Sequence, residues 1–285
     1  MGADCEFVHV NEIDKLNGKD AAYVVRHILK LDYEALSKKT RIVNSICSSR
    51  IAKDKIETTK ILENANLPQP EYVLTENFED IIRFTKEKGQ TIMKFPYGCA
   101  GKLHTILVCD NGSLAGYNTM GRFKVDAKKD CVMVGKGICF VPPYLVQEFI
   151  SSDGSETNDR VYRVYVTGDK ANFGTVRKKD NVSSLSESII NIAQGAHYEF
   201  MPELDSRMRE LALKTAELVG FDCGVVDMLK DSKGQIYIIE CDCDGKFLLV
   251  DRKFMKMDDY CDKYSFNKMI GQRLIEIAEG ADYRR

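Results

Sequence analysis

Several features that would assign a chain to a specialised class are missing here. No stretch approaches the ~20 consecutive apolar residues of a membrane-spanning helix. Met1–Val10 carries Asp4 and Glu6 and no apolar core, so it does not read as a secretory signal. No Cys-x-x-Cys occurs among the ten cysteines, and the one close pair is Cys241 and Cys243. That scatter speaks against a zinc knuckle or a disulfide framework, and the expectation is free thiols in a reducing cytoplasm. A net charge of −2 provides no overall field for nucleic acid or an anionic membrane. The run Arg177-Lys178-Lys179 is the local basic exception. Internal repeats and low-complexity segments are absent, and so is the full G-x-x-x-x-G-K-[ST] phosphate loop.

What remains is an ordinary globular balance, 44 % hydrophobic and 29 % charged. Phe7–Val10 reads as a short strand, Ala21–Leu36 as an amphipathic helix, and Arg41–Ile46 as a strand or turn. A helix over Asp54–Asn64 stops at the breaker Leu67-Pro68-Gln69-Pro70. Beyond it the pattern is α+β. Strands are expected over Glu71–Leu74, Thr91–Phe95, Thr105–Cys109 and Tyr144–Ile150, with a helix over Phe78–Lys88. Val161–Val166 and Ala171–Arg177 form an antiparallel pair around Thr167–Lys170. Leu204–Val219 has the clearest helical face. Cys223–Leu229 and Gln235–Cys241 make a hairpin across Asp231–Gly234, and Asp259–Ala278 closes the chain as a helix.

Four constellations carry chemistry. Glu240 and Asp242 lie two apart on one strand and so face one side, where the hairpin partner can bring Asp227. Three carboxylates among apolar neighbours repel one another unless a cation sits between them, and oxygen ligands suit Mg²⁺. The alternative is a solvated sheet edge. Lys94 ends a strand just before Gly98–Gly101, so its ammonium can reach a phosphate while the loop offers backbone N–H groups; a plain turn is the competing reading. Gln147-Glu148-Phe149-Ile150 ends an apolar strand and can present backbone groups and apolar contact to an adenine edge. Arg163 and Arg177, on adjacent strands with Asn191 following, can stabilise charge on a transferring phosphoryl group; solvated basic residues are the bland equivalent.

Taken in order, these elements resemble the ATP-grasp superfamily, and within it the RimK-like carboxylate–amine ligases. The likeness starts at Asn44, Asp54-Lys55 and Leu67-Pro68-Gln69-Pro70. It continues through Lys94, Gly98, Gly101, Gln147–Ile150, Arg163, Arg177, Asn191 and Gly195, and ends at Gly224–Asp227 and Ile239–Asp242. The resemblance implies an α+β ATP-grasp fold in which two lobes clasp ATP. Residues 46–149 would form the lobe with the glycine-loop lid and residues 150–285 the lobe with the metal-binding carboxylates. Residues 1–45 would be a shortened N-terminal region. Lys55, Lys94, Gly98, Gly101, Gln147–Ile150 and Asp159 would contact the nucleotide, Asp227, Glu240 and Asp242 would hold Mg²⁺ or Mn²⁺, and Arg163, Arg177 and Asn191 would serve catalysis. A substrate carboxylate, small or peptidic, would attack the γ-phosphate to give an acyl phosphate, and an amine would displace the phosphate. Related enzymes are often homo-oligomers. Asp242 departs from the family's Asn, Cys243-Asp244-Gly245 departs from its Pro-Gly step, and Asp159 beside Arg160 replaces its Asp-x-Arg spacing. An inositol-phosphate-type kinase on the same fold and a non-catalytic nucleotide-binding module are the competing functions.

Overall fold

Capping signals written in the sequence set the helix ends. The computed structural model describes residues 21–23, 36–38, 40–97, 104–110, 112–134, 138–152, 157–243 and 263–284. Strand β1, Ala21–Tyr23, pairs in parallel with β2, Arg41–Val43. The helix expected over Ala21–Leu36 therefore starts as a strand. Three residues of Ala-Ala-Tyr carry no period that separates strand from helix, and burial of Ala22 opposite Ile42 decides it. Residues 24–35 and the expected strand at Phe7–Val10 lie outside the described residues.

Helix α1, Ile46–Lys53, is capped by Ser45, and α2, Lys55–Asn64, is capped by Asp54. One Asp54 oxygen accepts from the amides of Ile56 and Glu57, while the Asp54 amide donates to Arg50 and Ile51 of the preceding helix. Only the second of these helices was expected from sequence. Strand β3, Tyr72–Thr75, leads into α3, Phe78–Lys88, which has the limits expected. Its cap is Asn77, its first turn holds Glu79 and Asp80, and Lys86 and Lys88 close its last turn, each charge matching the helix dipole.

Seven strands follow: β4 Gln90–Lys94, β5 Thr105–Asp110, β6 Ser113–Asn118, β7 Gly121–Lys128, β8 Cys131–Val134, β9 Ile138–Phe140 and β10 Tyr144–Glu148. With β3 they build an eight-stranded antiparallel sheet in the order β3-β10-β4-β5-β6-β7-β8-β9. The sequence marked the turn at Asp110–Gly112 but none of β6 to β9. Gly116 has a local reason: a Cβ there would stand 2.4 Å from the Phe123 ring. One face of this sheet packs Met93, Leu107, Val125, Val132 and Phe140 with Ile81 of α3.

The second sheet is five-stranded, ordered β13-β12-β11-β14-β15. Its strands are β11 Arg160–Thr167, β12 Lys170–Lys178, β13 His197–Met201, β14 Cys223–Lys230 and β15 Ile236–Asp242. Helix α4, Ser206–Val219, lies between β13 and β14, and α5, Phe266–Ala278, follows the sheet; of the closing helix expected from Asp259, residues 259–262 lie outside the described set. On one face Val164, Val166, Val226, Met228 and Ile238 meet Met208, Leu211, Ala212 and Ala216 of α4, together with Ala52 and Leu62 of α1 and α2. Burying each large apolar side chain there contributes ~1.5–3 kcal/mol. Residues 46–64 thus share a core with the second sheet. We propose a lobe boundary within Leu67–Pro70 in place of one before residue 46.

On the other face Tyr165 stacks on Phe173 at 4.5 Å, edge-on to Phe266 of α5. Asn44 clamps this assembly. Its side chain donates to the carbonyls of Cys223 and Cys243 at 2.6 and 3.0 Å and accepts from the amides of Asp222 and Cys223 at 2.8 Å. Four satisfied bonds explain a buried Asn where β2 meets β14 and β15.

Candidate active site

The strands of the two sheets bring most of the candidate residues to one cleft of about 270 Å³. From the eight-stranded sheet come Ile92 and Lys94 of β4, Gln147 and Glu148 of β10, and Phe149 and Ile150 just beyond. From the five-stranded sheet come Arg163, Arg177, Glu240 and Asp242, and Asn191 reaches in from the segment before β13. Gly98 and Gly101 lie outside the described residues.

Strand register explains the charge arrangement. Arg163 of β11 stands opposite Asp227 of β14, and Asp227 stands opposite Glu240 of β15. The pairing shifts between Asp227 and Met228, so Ile239 is skipped as a bulge next to Glu240. Arg163 grips Asp227 with two bonds, Nε to Oδ1 at 2.7 Å and Nη2 to Oδ2 at 2.8 Å. Arg177 Nη2 reaches Oδ2 at 2.6 Å. Burial pushes the Asp227 carboxyl up, but the two guanidinium groups outweigh it and hold the group below its ordinary range. Burial likewise works against the Arg163 charge, yet Asp227 drives that guanidinium well above its ordinary value.

Three mutually repelling carboxylates were expected to hold a cation. In the structure Asp227 is answered by arginines, and Glu240 is paired with Lys55 Nζ at 2.9 Å. Among the described residues no group of three His, Cys, Asp or Glu side chains converges as a metal site. Glu240 and Asp242 remain together on the cleft wall. Two carboxylates beside a phosphate-sized cavity fit Mg²⁺, which commonly takes one or two protein carboxylates plus substrate oxygens.

Lys94 is buried, and its Nζ points at the Ile239 carbonyl at 3.4 Å. Burial lowers its pKa to about 8; Glu240 pulls it up and Lys55 pushes it down. An incoming anion would restore the full charge. Among the described residues, three side-chain atoms on the same walls lack a hydrogen-bond partner: Arg177 Nε, His104 Nε2 and Gln147 Oε1. Two sit with the basic groups and one at the hinge, so the cleft has unmet polar capacity at both ends. His104 is held neutral, well below its usual value, by burial and then by Lys94 and Lys55. The amides of Glu148 and Phe149 are occupied by the carbonyls of Glu71 and Gln90, at 2.8 and 3.1 Å. Gln147 Oε1 is the buried side-chain atom of this hinge that has no partner among the described residues.

Asp159 is not on the cleft wall. It holds Ser152 Oγ and the Arg160 guanidinium at 2.7–2.8 Å, and its neighbour Asn158 lines the cleft in its place. Lys55 is also off the wall, and its Nζ pairs with Glu240. The sequence reading missed His104, Tyr198 and the apolar lining from Ile92, Val161, Leu229 and Ile239. Ile92 had a signal, two residues before Lys94 on the same strand face. Tyr198 had none, because its position opposite Arg177 is a matter of sheet register.

The description "RimK-like ATP-grasp domain" belongs to a family model that matches residues 52–258. The alpha-aminoadipate–LysW ligase LysX of Saccharolobus solfataricus is 25 % identical over 201 residues, 70 % of this chain and 64 % of its own length. The tetrahydromethanopterin:alpha-L-glutamate ligase of Methanosarcina acetivorans is 25 % identical over 194 residues, covering 68 % of this chain and 55 % of that protein. The chain therefore spans less than two thirds of the length of either relative. Among solved structures, ATP-grasp ligase PsnB complexed with a phosphomimetic variant of its minimal precursor, Mg and ADP aligns with a TM-score of 0.52 at 19 % identity. That alignment covers 83 % of this chain and 63 % of PsnB, a likeness of fold. Among the described residues no helix is long and apolar enough to cross a membrane.

Proposed function

Because the chain belongs to the RimK-like ATP-grasp family, we propose that it binds Mg-ATP in this cleft and joins a carboxylate to an amine, releasing ADP and phosphate. One observation carries the reading: a row of fixed charge, Arg177 and Arg163 on Asp227, then Glu240 and Asp242, shares one cleft with buried Lys94.

Each residue has a task. Lys94, with the amides of the Gly98–Gly101 loop, takes the phosphates. Gln147 Oε1 accepts from the adenine amino group, while Ile92, Phe149, Ile150 and Ile239 cover the ring. Glu240 and Asp242 hold Mg²⁺, which offsets phosphate charge when bound; Mn²⁺ can replace it. Asp227 positions Arg163 and Arg177, and its Oδ1, which accepts one bond, keeps a lone pair for the metal beside Glu240 and Asp242. Lys55 orients Glu240, and Asp159 steadies the hinge loop through Ser152 and Arg160.

In the first step a substrate carboxylate oxygen bonds to the γ-phosphorus as the bond to the β,γ-bridging oxygen breaks, and ADP leaves. In the second the amine nitrogen bonds to the acyl carbon, the carbon–oxygen bond to phosphate breaks, and phosphate and a proton depart. Arg163 and Arg177, already held by Asp227, need little reorganisation to stabilise the acyl-phosphate charge, and Asn191 adds an amide on the same wall. The carboxylate donor is a small molecule or a peptide. The seven described cysteines form no disulfide with one another, which suits the reducing cytoplasm where we place the protein.

The test is ATP turnover with Mg²⁺ and pooled amino acids and short peptides, reading ADP and free phosphate. Release of both that needs a carboxylate and an amine, and that disappears in Glu240→Ala, supports the ligase. ADP without free phosphate, seen only with an added polyol phosphate, would replace it with a kinase. Tight Mg-ATP binding with no turnover in any pool would make the protein a binding module.

A further inference from the structure

A sulfur cluster at the far edge of the eight-stranded sheet is left unused by the nucleotide reading. Strands β8 and β9 form a hairpin in which Met133 stands opposite Cys139 and Val132 opposite Phe140. Strand alternation sends Val132, Val134 and Phe140 into the core and leaves Cys131, Met133 and Cys139 on the outer face. Cys131 Sγ lies 3.9 Å from Met133 Sδ. The Cys139 thiol lies 3.9 Å from the Phe140 carbonyl, and the nearby Cys131 thiol raises it above its ordinary value. Both cysteines are free, Cys139 exposed and Cys131 half-buried.

We propose that Cys131, Met133 and Cys139 form a binding site for a soft, thiophilic cation, Cu(I). Around a trigonal metal with metal–sulfur bonds of about 2.3 Å, the sulfurs stand about 4 Å apart, the spacing already set between Cys131 and Met133. Two thiols and a thioether select soft cations over Mg²⁺ or Ca²⁺. The cysteines are diagonal neighbours, not directly opposed. Diagonal partners sit about 7–8 Å apart, beyond the ~6.8 Å that a disulfide tolerates. A metal can bridge that gap and a direct sulfur–sulfur bond cannot. Strand β9 is the edge of its sheet, so the ion has an open approach.

The test uses the full chain, reduced and free of oxygen, titrated with Cu(I) against bicinchoninate. One Cu(I) per chain is expected, with an X-ray absorption shell of sulfur alone at about 2.3 Å. Cys131→Ser and Cys139→Ser should each lose at least about tenfold in Cu(I) affinity, Met133→Leu less, and Cys109→Ser nothing. Melting curves of the apo variants should match the parent, because these side chains face outward. Full-strength one-to-one binding by the Cys131→Ser/Cys139→Ser double variant would overturn the site, and so would a nitrogen or oxygen shell.

Discussion

Two buried aspartates, Asp222 and Asp227, sit at the start and in the middle of the same strand region, each 1 % exposed and each held by arginine. Their surroundings set them apart. Asp222 accepts from Arg273 at 2.7 and 3.2 Å and from the Arg284 amide at 2.7 Å. Arg273 also bonds the Asp282 carbonyl, and Arg284 those of Gly168 and Phe221. That network ties the C-terminal residues to β14, and neither Asp222 nor Arg273 lines the cleft. At Asp227 both arginines reach the cleft wall, and Arg177 Nε has no partner among the described residues. The same pairing is a structural anchor away from the cleft, and a candidate site where both arginines line the cleft wall.

Removing each aspartate sharpens that contrast. Asp227→Ala leaves two guanidinium groups buried and unanswered, so unfolding in urea should show a loss of about 3–5 kcal/mol, with ATP turnover abolished in whatever folds. Asp222→Ala should destabilise by about 2–4 kcal/mol on the same logic, yet turnover per folded molecule should stay near the parent value. Equal damage to turnover in the two variants would erase the distinction.

Lys94→Met probes the opposite face of the cleft, and its effect on stability has the reverse sign. The lysine titrates at about 8 when folded, against an ordinary 10.5. The folded state therefore disfavours the cation, a penalty present in full below about pH 8 and gone above about 10.5, worth at most about 3 kcal/mol. The variant should be the more stable protein at pH 7, and the gap should close as pH rises from 8 to 10.5. Mg-ATP binding by calorimetry should be lost. A gap that does not move with pH would show that Lys94 bears no such penalty. The smallest stability effect is expected from Arg177→Lys. It retains a charge for Asp227 but loses the planar fork, so stability should shift by about 1 kcal/mol while kcat falls roughly 10²-fold.

The two sheets also differ in how much of them could be read from sequence. Around the five-stranded sheet, β11, β12, α4 and the β14–β15 hairpin were visible because alternation and helical spacing are strong there and glycines mark the turns. In the eight-stranded sheet β6 to β9 went unread. β7, Gly121–Lys128, does alternate, with Phe123, Val125 and Ala127 between charged residues, but only Val125 is buried, so its apolar contrast is weak. α1 was hidden because Ile46–Lys53 buries chiefly Ser48, Ser49 and Ala52, small residues with little apolar contrast.

The sequence by itself determined which residue types could handle a phosphate and a metal, and the order in which they occur. Lys94, Gln147, Arg163, Arg177, Glu240 and Asp242 were all legible in that way, because strand ends and the i, i+2 rule place side chains locally. Only the tertiary structure decided who pairs with whom. It gave Asp227 to Arg163 and Arg177, Glu240 to Lys55, and put His104 and Tyr198 on the cleft wall, since cross-strand register and inter-sheet distance depend on packing far from each residue in the chain. It also put Asp159 off the wall. Charge pairing in a buried site is settled by geometry within a few ångströms, and local sequence does not encode those distances.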